Sequence, residues 1–462
     1  MISRIHIDER VREWGLREDV IEKDYVLGWL LWGIGTEPEL AEQWAFKGGT
    51  CLKKCYLETY RFSEDLDFTI VPGGPINAED VEPVLLRMLD RVGQESGINF
   101  AQQAPRLRTA APGRYTEGRI YYIGPRQSPT VARVKLDLSG SEVIARPTAV
   151  RPISHPYPDD LPDPGAVRCY AFEEVFAEKI RAMGERGRPR DLYDIVNLYR
   201  REDLHGQRDL IVTVLREKCH TKGIPVPTFR AIEQAQARAE LEAEWQNMLG
   251  HQLPVTPPFE AFWSELAALF EWLEGVREPV VQDRISVASA GAEDASWTPP
   301  RTVTTWGGAA PMESVRFAAA NRLCVELRYN GTTRLIEPYS LRRSQAGNLL
   351  LYAIRTDSRE PRAYRVDRIQ GVRVMDRVFT PVYRVEIGAA GPLSAPPVTD
   401  VRQSVHRARP SSSEPVYIIQ CPSCGKQFRR KTRDMTLRSH KTPDGYQCHG
   451  GGRGSLVDTR YG

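Results

Sequence analysis

The run Asp65-Leu66-Asp67-Phe68-Thr69-Ile70 alternates polar and apolar residues, the period of a half-buried strand. Leu66, Phe68 and Ile70 therefore face a core, and Asp65, Asp67 and Thr69 are presented on the opposite side. Ahead of it, Ile21, Tyr25, Val26, Trp29 and Leu30 recur with a 3.6-residue period. Residues 1 to about 45 thus read as helix, and Trp44 to Phe46 as a short strand running into Gly48-Gly49-Thr50. After a Pro72-Gly73-Gly74-Pro75 loop, Ala78 to Gly93 form an amphipathic helix with Val84, Leu85, Met88 and Leu89 inward. Strands are predicted near Arg119 to Ile123 and Thr130 to Leu138, the second alternating Val134, Leu136 and Leu138 with Lys135 and Asp137. Residues 146 to 165 are a proline-rich connector. From Tyr170 a helical line runs Phe172, Val175, Phe176, Ile180, Met183, and further helices are predicted around Thr228 to Leu249 and Pro258 to Leu273.

The period changes beyond a linker at Gly291 to Pro311, which holds Trp297-Thr298-Pro299-Pro300 and Trp306-Gly307-Gly308. A short helix, Ser314 to Asn321, precedes strands at Leu323 to Tyr329, Thr333 to Ile336, Asn348 to Arg355, Ala363 to Arg365 and Ile369 to Val374. That spacing predicts a small β-barrel. The runs Glu337-Pro338-Tyr339-Ser340-Leu341 and Tyr364-Arg365-Val366-Asp367-Arg368-Ile369 resemble the WYL domain, an SH3/Sm-like barrel found in bacterial regulators, whose name-giving tripeptide is reduced here to Leu349-Leu350-Leu351. Arg365 and Arg368 either grip the phosphate of a nucleotide or nucleic-acid ligand or pair with Asp367 and Glu337. Residues 389 to 414, rich in Pro, Ala and Ser, are a second linker.

Length and composition narrow these readings. At 462 residues the chain exceeds one ordinary core, and 41% hydrophobic with 27% charged residues is a globular composition. A net charge of +3 is too small to imply a nucleic-acid partner for the whole chain, so local clusters carry that question. No apolar run reaches the roughly 18 residues of a membrane span and the N-terminus lacks a signal-peptide core, which points to a cytoplasmic protein without a membrane partner. Of eight cysteines, Cys51, Cys55, Cys169, Cys219 and Cys324 read as reduced, half-buried thiols.

Cys421, Cys424 and Cys448 have ligand spacing, and with His440 they form a zinc-knuckle pattern in a segment too small to fold without a metal. His449 competes with Cys448 as fourth ligand. Arg429, Arg430, Lys431, Arg433, Arg438 and Lys441 surround the pattern against Asp434 and Asp444. This basic cluster suits either phosphate-backbone contact or a solvated tail.

Two acids one residue apart on a strand repel unless a divalent cation or bound donors neutralise them, the arrangement that holds Mg²⁺ (or Mn²⁺) against substrate phosphates. Gly48-Gly49 lets backbone approach a triphosphate, and Thr50 offers a hydroxyl and amides to anionic oxygens. A solvated hairpin would show the same two acids. Asp137 becomes a third acid if its strand lies beside Asp65 and Asp67; otherwise Lys135 and Asp137 form an exposed edge. Lys179 falls inside an apolar stripe, where it snorkels or reaches into a cleft. Asp191 and Asp194 share one helical face, although Asp191 could instead cap its helix.

The order Lys47-Gly48-Gly49-Thr50, then Arg61-Phe62-Ser63-Glu64-Asp65-Leu66-Asp67-Phe68, resembles the AbiEii/AbiGii toxin family of nucleotidyltransferase-fold proteins, with Thr50 where that family carries serine. Ala177-Glu178-Lys179-Ile180-Arg181-Ala182 and Arg190-Asp191-Leu192-Tyr193-Asp194 match its lysine helix and its following Arg-Asp-x-x-Asp segment, so the resemblance spans about residues 20 to 200.

The resemblance implies an α+β multidomain chain. Its parts are a polymerase β-like core at 1–169, a helical subdomain completing the active site at 170–280, and a linker at 281–311. The WYL-like barrel at 312–388, a linker at 389–414 and a basic zinc finger at 415–462 follow. It further implies a toxin-like or phage-defence enzyme that transfers a nucleoside monophosphate from a nucleoside triphosphate to an acceptor, with tRNA foremost. Asp65 and Asp67 would bind Mg²⁺, Asp137 would be the third acid, and Lys47, Gly48, Gly49 and Thr50 would cradle phosphates. Lys179 would offset charge, with Asp191 and Asp194 orienting it. A cognate antitoxin is the implied partner, and RNA or DNA could meet the barrel and finger. The competing readings are a transferase acting on a protein or small molecule, and a nucleic-acid-binding regulator with an inactive core.

Overall fold

The computed structural model describes residues 2–57, 61–234, 237–280, 282–297, 312–387, 415–432, 434–442, 446–448 and 452–461. The chain divides into two compact units, Met1–Ala395 and Pro396–Gly462.

In the first unit the N-terminal helical stretch is three helices, α1 (Arg4–Trp14), α2 (Glu18–Thr36) and α3 (Pro38–Ala41), before β1 (Trp44–Lys47). The glycine turn opens α4 (Gly48–Cys51), which continues as a single π-helical stretch, Leu52–Tyr56. Next come β2 (Asp65–Ile70), α5 (Ala78–Ser96), β3 (Arg106–Ala111), β4 (Tyr115–Tyr122) and β5 (Ala132–Ser139). The proline-rich connector contains β6 (Ala149–Pro152) and ends in β7 (Ala166–Cys169). Both are too short for a visible period in the sequence. The seven strands make one mixed sheet in the order β3-β4-β5-β2-β1-β7-β6.

Within it, β2 runs parallel to β5 and antiparallel to β1. Alternation holds for most positions: Leu66, Phe68, Val134, Leu136 and Leu138 are buried, while Asp65, Asp67 and Asp137 stand half-buried on the other face. Thr69, read as presented beside them, is instead fully buried, its hydroxyl 2.5 Å from that of Tyr170. Apolar burial of this size is the main force holding the sheet to its helices.

α6 (Phe172–Arg186) ends at Gly187, whose φ of 51° is left-handed, and α7 (Pro189–Tyr199) starts on a proline, which suits a first helical position. α8 (Arg208–Lys222), α9 (Phe229–Gln234), α10 (Ala237–Leu249) and α11 (Phe259–Leu273) complete the helical layer. Cys51, Cys55 and Cys169, read as half-buried, are fully buried, with their sulfurs within 4.8 Å of one another.

α12 (Met312–Ala320) leads into β8 (Leu323–Tyr329), β9 (Thr332–Arg343), β10 (Leu349–Arg355), β11 (Pro361–Arg365) and β12 (Ile369–Val378), an antiparallel sheet in the order β11-β10-β9-β8-β12. No ladder joins its edges β11 and β12 among the described residues. The predicted linker at 281–311 is corrected in its described part: Ile285 is buried in the core of this sheet, Glu293 bridges to Ser344, and Asp294 pairs with Arg343. Residues 298–311 of that linker, and the linker at 389–414, lie outside the described residues.

The second unit carries β13 (Pro415–Gln420), β14 (Gln427–Arg430) and β17 (Ser455–Tyr461) in one small sheet, with β15 (Thr436–Leu437) paired to β16 (Gly452–Arg453). Its described apolar core is little more than Ile419, Cys421 and Leu437, far below what a unit of this size needs to fold unaided. No described helix is long and apolar enough to cross a membrane.

Candidate active site

The sheet register brings the acids together. Asp67 lies opposite Asp137 on β5 and opposite Lys47 on β1, and Asp65 lies opposite Lys135. Three carboxylates thus share one face of two adjacent strands, and β5 is an interior strand rather than an edge. That acid accepts hydrogen bonds from the Tyr115 hydroxyl (2.9 Å) and Lys135 Nζ (2.5 Å). Burial pushes Asp65 above the usual carboxylate range, with Lys135 opposing and Asp137 adding to the rise. For Asp67 burial again comes first; Lys47 opposes it, Asp137 and Asp65 reinforce it, and the carboxyl is pushed up to about 6. Incompletely neutralised carboxylates on one sheet face offer hard oxygen donors, the ligand type that Mg²⁺ or Mn²⁺ takes.

The glycines are demanded by the chain itself. Gly48 has φ of 81°, and a Cβ there would lie 2.5 Å from Asp67 Oδ2; a Cβ on Gly49 would lie 2.6 Å from the Arg61 guanidinium. Thr50 departs from expectation. Its side chain is buried and its hydroxyl donates to the Asp65 carbonyl (2.5 Å), so it anchors the start of β2 to α4 rather than facing an anion.

Behind the sheet acids stands a second, self-neutralised set. Asp194 accepts a bidentate pair from Arg61 (2.7 and 2.9 Å) and a contact from Lys179 Nζ (2.7 Å). Asp191 takes a bidentate pair from Arg186 (2.9 and 3.0 Å) and lies 3.9 Å from Lys179. Burial would raise Asp194, but Arg61 and Lys179 overcome it and hold the carboxyl at about 2. Both acids are fully buried, and Asp191 is an internal ion-pair partner rather than a helix cap. Lys179, within its apolar stripe, therefore reaches into a cleft.

That cleft is a cavity of about 360 Å³ lined by Lys47, Gly48, Asp67, Lys179, Arg181 and Arg186 among others. Lys47 pairs with Glu142; burial works against its charge, but Glu178 and Glu142 outweigh that and keep its ammonium above the usual range. Sequence reasoning missed Arg61, Arg186, Glu142 and Tyr115. Arg61 alone had a signal, a cation beside Phe62 within the quoted motif.

Residues 29–268 match the family described as "Nucleotidyl transferase AbiEii toxin, Type IV TA system", more than half of the chain. The chain belongs to the AbiEii nucleotidyltransferase toxin family. Residues 312–374 match the WYL domain. The AbiEii fold thus carries a nucleotidyltransferase-like core, and membership implies a nucleoside triphosphate and a divalent metal ion. No curated protein matches the chain.

Among solved structures, MenT4, nucleotidyltransferase toxin Rv2826c from Mycobacterium tuberculosis H37Rv, is similar at 21% identity and a TM-score of 0.43, over 59% of this chain and 90% of that one. Proteasome accessory factor B/C (PafBC) of Arthrobacter aurescens is similar at 16% identity and a TM-score of 0.15, over 54% of this chain and 38% of that one.

Elsewhere in this AbiEii chain, Arg365 pairs with Asp367 (2.7 Å), Glu337 is taken by Arg359, and Arg368 is exposed. In the second unit the ligand atoms of Cys421, Cys424, His440 and Cys448 all lie within 4.8 Å of one another. Cys424 Sγ is 3.3 Å from His440 Nε2, and His440 Nδ1 is 2.8 Å from the Arg438 carbonyl oxygen, a contact that fixes the ring. Arg429 and Lys431 are exposed and Arg430 pairs with Asp434. His449 and Arg433 lie outside the described residues.

Proposed function

We propose that this protein is a metal-dependent nucleotidyltransferase toxin that transfers a nucleoside monophosphate from a nucleoside triphosphate to a hydroxyl of tRNA and releases pyrophosphate. The observation that carries this reading is the trio Asp65, Asp67 and Asp137 on one sheet face, of which Asp67, pushed up to about 6, lines a cavity rimmed by Lys47, Lys179 and Arg186. Asp65 and Asp67 hold Mg²⁺ or Mn²⁺, which supplies charge neutralisation at the reacting phosphate oxygens when bound. Asp137 accepts the proton of the attacking hydroxyl, or shares the ion, while Tyr115 and Lys135 fix its orientation.

Lys179 offsets the triphosphate charge, and its position is set by Asp194 and Asp191. Lys47 and the backbone of Gly48 and Gly49 border the phosphates. Thr50 acts indirectly, by anchoring Asp65.

Incubation with each labelled nucleoside triphosphate and total tRNA tests the reading. Label is expected on RNA from the native chain and not from Asp65→Ala/Asp67→Ala. Labelling by both proteins, or by neither, overturns it.

The finer architecture belongs to the same proposal. The expected domain boundaries separate a core, a helical subdomain, a WYL barrel and a finger, and Arg365 and Arg368 would meet a ligand of the barrel. Cys421, Cys424, His440 and Cys448 hold structural Zn²⁺, supported by soft ligands converging in a unit with almost no apolar core. Arg429, Arg430 and Lys431 then face nucleic acid, and a cognate antitoxin restrains the enzyme. About one equivalent of zinc per chain is expected, lost in Cys421→Ser/Cys424→Ser.

A further inference from the structure

Row by row, the sheet register lines up more than the acids. Arg106 on β3 lies opposite Arg119 on β4, Arg119 opposite Lys135 on β5, and Lys135 opposite Asp65 on β2. Paired residues project from the same face, so three cations in a row across three strands end at a proposed metal-binding carboxylate. Arg133, two residues before Lys135 on β5 and opposite Tyr121, shares the face beside the row. All four cations are exposed. Lys135 contacts Asp137, whereas Arg106, Arg119 and Arg133 make no ion pair among the described residues.

Like charges directly opposite each other on neighbouring strands destabilise a sheet. Cations at Arg106 could be explained as guarding the edge strand β3 against pairing with another chain. That explanation fails for Arg119 and Lys135, whose strands are interior. The row also continues away from the cavity: Lys47 and Lys179 lie on the β1 and α6 side of Asp67, and the cations lie on the β5 side.

We propose that Arg106, Arg119 and Lys135, with Arg133 beside them, are the track on which the phosphate backbone of a single-stranded polynucleotide acceptor lies, its terminal hydroxyl reaching the acids from the β5 side. This rests on the transferase reading and adds the surface that holds the acceptor's backbone and its direction of approach. At roughly 4.8 Å between strands, Arg106 to Asp65 spans about 14 Å, room for the last few nucleotides of a strand.

The test separates this from the transferase reading by measuring binding in Asp67→Asn protein, which needs no turnover. Fluorescence anisotropy would follow single-stranded RNA and single-stranded DNA of equal length. Arg106→Ser/Arg119→Ser is expected to weaken binding about tenfold or more near 0.1 M salt and to flatten the dependence of log Kd on log salt by about 1.4, two phosphate contacts at 0.7 each. Arg238→Ser/Arg277→Ser, which removes the same charge from exposed positions on α10 and after α11, is expected to leave binding unchanged.

Arg106→Lys/Arg119→Lys should restore most of the affinity, and thermal unfolding of the serine variant should be unchanged or raised. Loss on both polymers supports a backbone track; loss on RNA alone supports it with a hydroxyl contact added. Undiminished RNA binding by the serine variant, or an equal loss in the Arg238/Arg277 control, overturns the proposal. If no nucleotide is ever transferred but the binding loss is seen, the transferase reading fails and the track stands.

Discussion

Asp67 on β2 and Asp194 on α7 both feel Lys179, yet one carboxyl is pushed up to about 6 and the other held at about 2. Burial acts on both in the same direction. The difference is who neutralises them: Asp194 meets a bidentate guanidinium and an ammonium from within the chain, whereas Asp67 faces two more carboxylates and a Lys47 already shared with Glu142. A protein can satisfy a buried acid internally, and here it does so one layer away. The sheet acids are consequently a place where the fold tolerates instability, as expected where charge must be supplied by a ligand.

The largest expected effect is on turnover. Asp67→Asn should lower nucleotide transfer by at least ~10³-fold, through loss of an ion ligand, while leaving thermal stability equal or higher because a repelling charge is gone. A marked fall in melting temperature would break the comparison, since it would mean that Asp67 is an internal partner like Asp194. The converse substitution acts on the fold. Asp194→Ala leaves Arg61 and Lys179 buried without their main counter-charge and should cost about 3–5 kcal/mol in urea unfolding. An unchanged midpoint would contradict the assignment.

The two groups should also respond oppositely to pH. For Asp67 the folded value lies above the unfolded one, so ionisation opposes folding. The metal-free chain should therefore lose stability as pH rises from about 4 through 6, on the order of 2 kcal/mol given its partial exposure. Mg²⁺ should remove that loss, and its affinity should fall below about pH 6. For Asp194 the folded value lies below the unfolded one, so its contribution is complete above about pH 4 and is lost as pH falls towards 2. Unfolding midpoints across pH 3–8 for the native chain and Asp67→Asn isolate the first group by difference, because the native chain should lose more between pH 4 and 6 than the variant, which keeps the raised carboxyl of Asp65.

How much of this could be read from the chain depended on whether the signal was local. Alternation around Asp65 and Asp67 and the switch to short strands after Leu323 are local, and both elements appear where the pattern put them. The meeting of Asp137 with Asp67 needed one assumption, that their strands are neighbours, which no local pattern could supply. Arg186 was illegible, and Arg61 legible only as a cation beside Phe62, because their partners depend on how α6, α7 and the glycine turn pack together. Thr50 was misread for a related reason: a hydroxyl beside two glycines fits an anion as well as it fits the Asp65 carbonyl, and only the packing of α4 on β2 decides. The strands β6 and β7 were lost among prolines because four-residue strands carry no period.

The smallest expected effect lies where the self-neutralised set meets water. Arg186 is half exposed, its bidentate partner Asp191 is fully buried, and Lys179 stands 3.9 Å from Asp191 as a reserve counter-charge. Arg186→Gln should therefore cost only about 1–2 kcal/mol of stability, less than Asp194→Ala, because one partner is already solvated and the other keeps a cation. Arg186 also borders the cavity, so the same variant should raise KM for the nucleoside triphosphate several-fold with kcat little changed, the pattern of a lost contact made equally in ground and transition states. A fall in kcat with KM unchanged would instead place Arg186 among the groups acting only on the reacting phosphate. The internal set would then no longer be purely a support for the sheet acids.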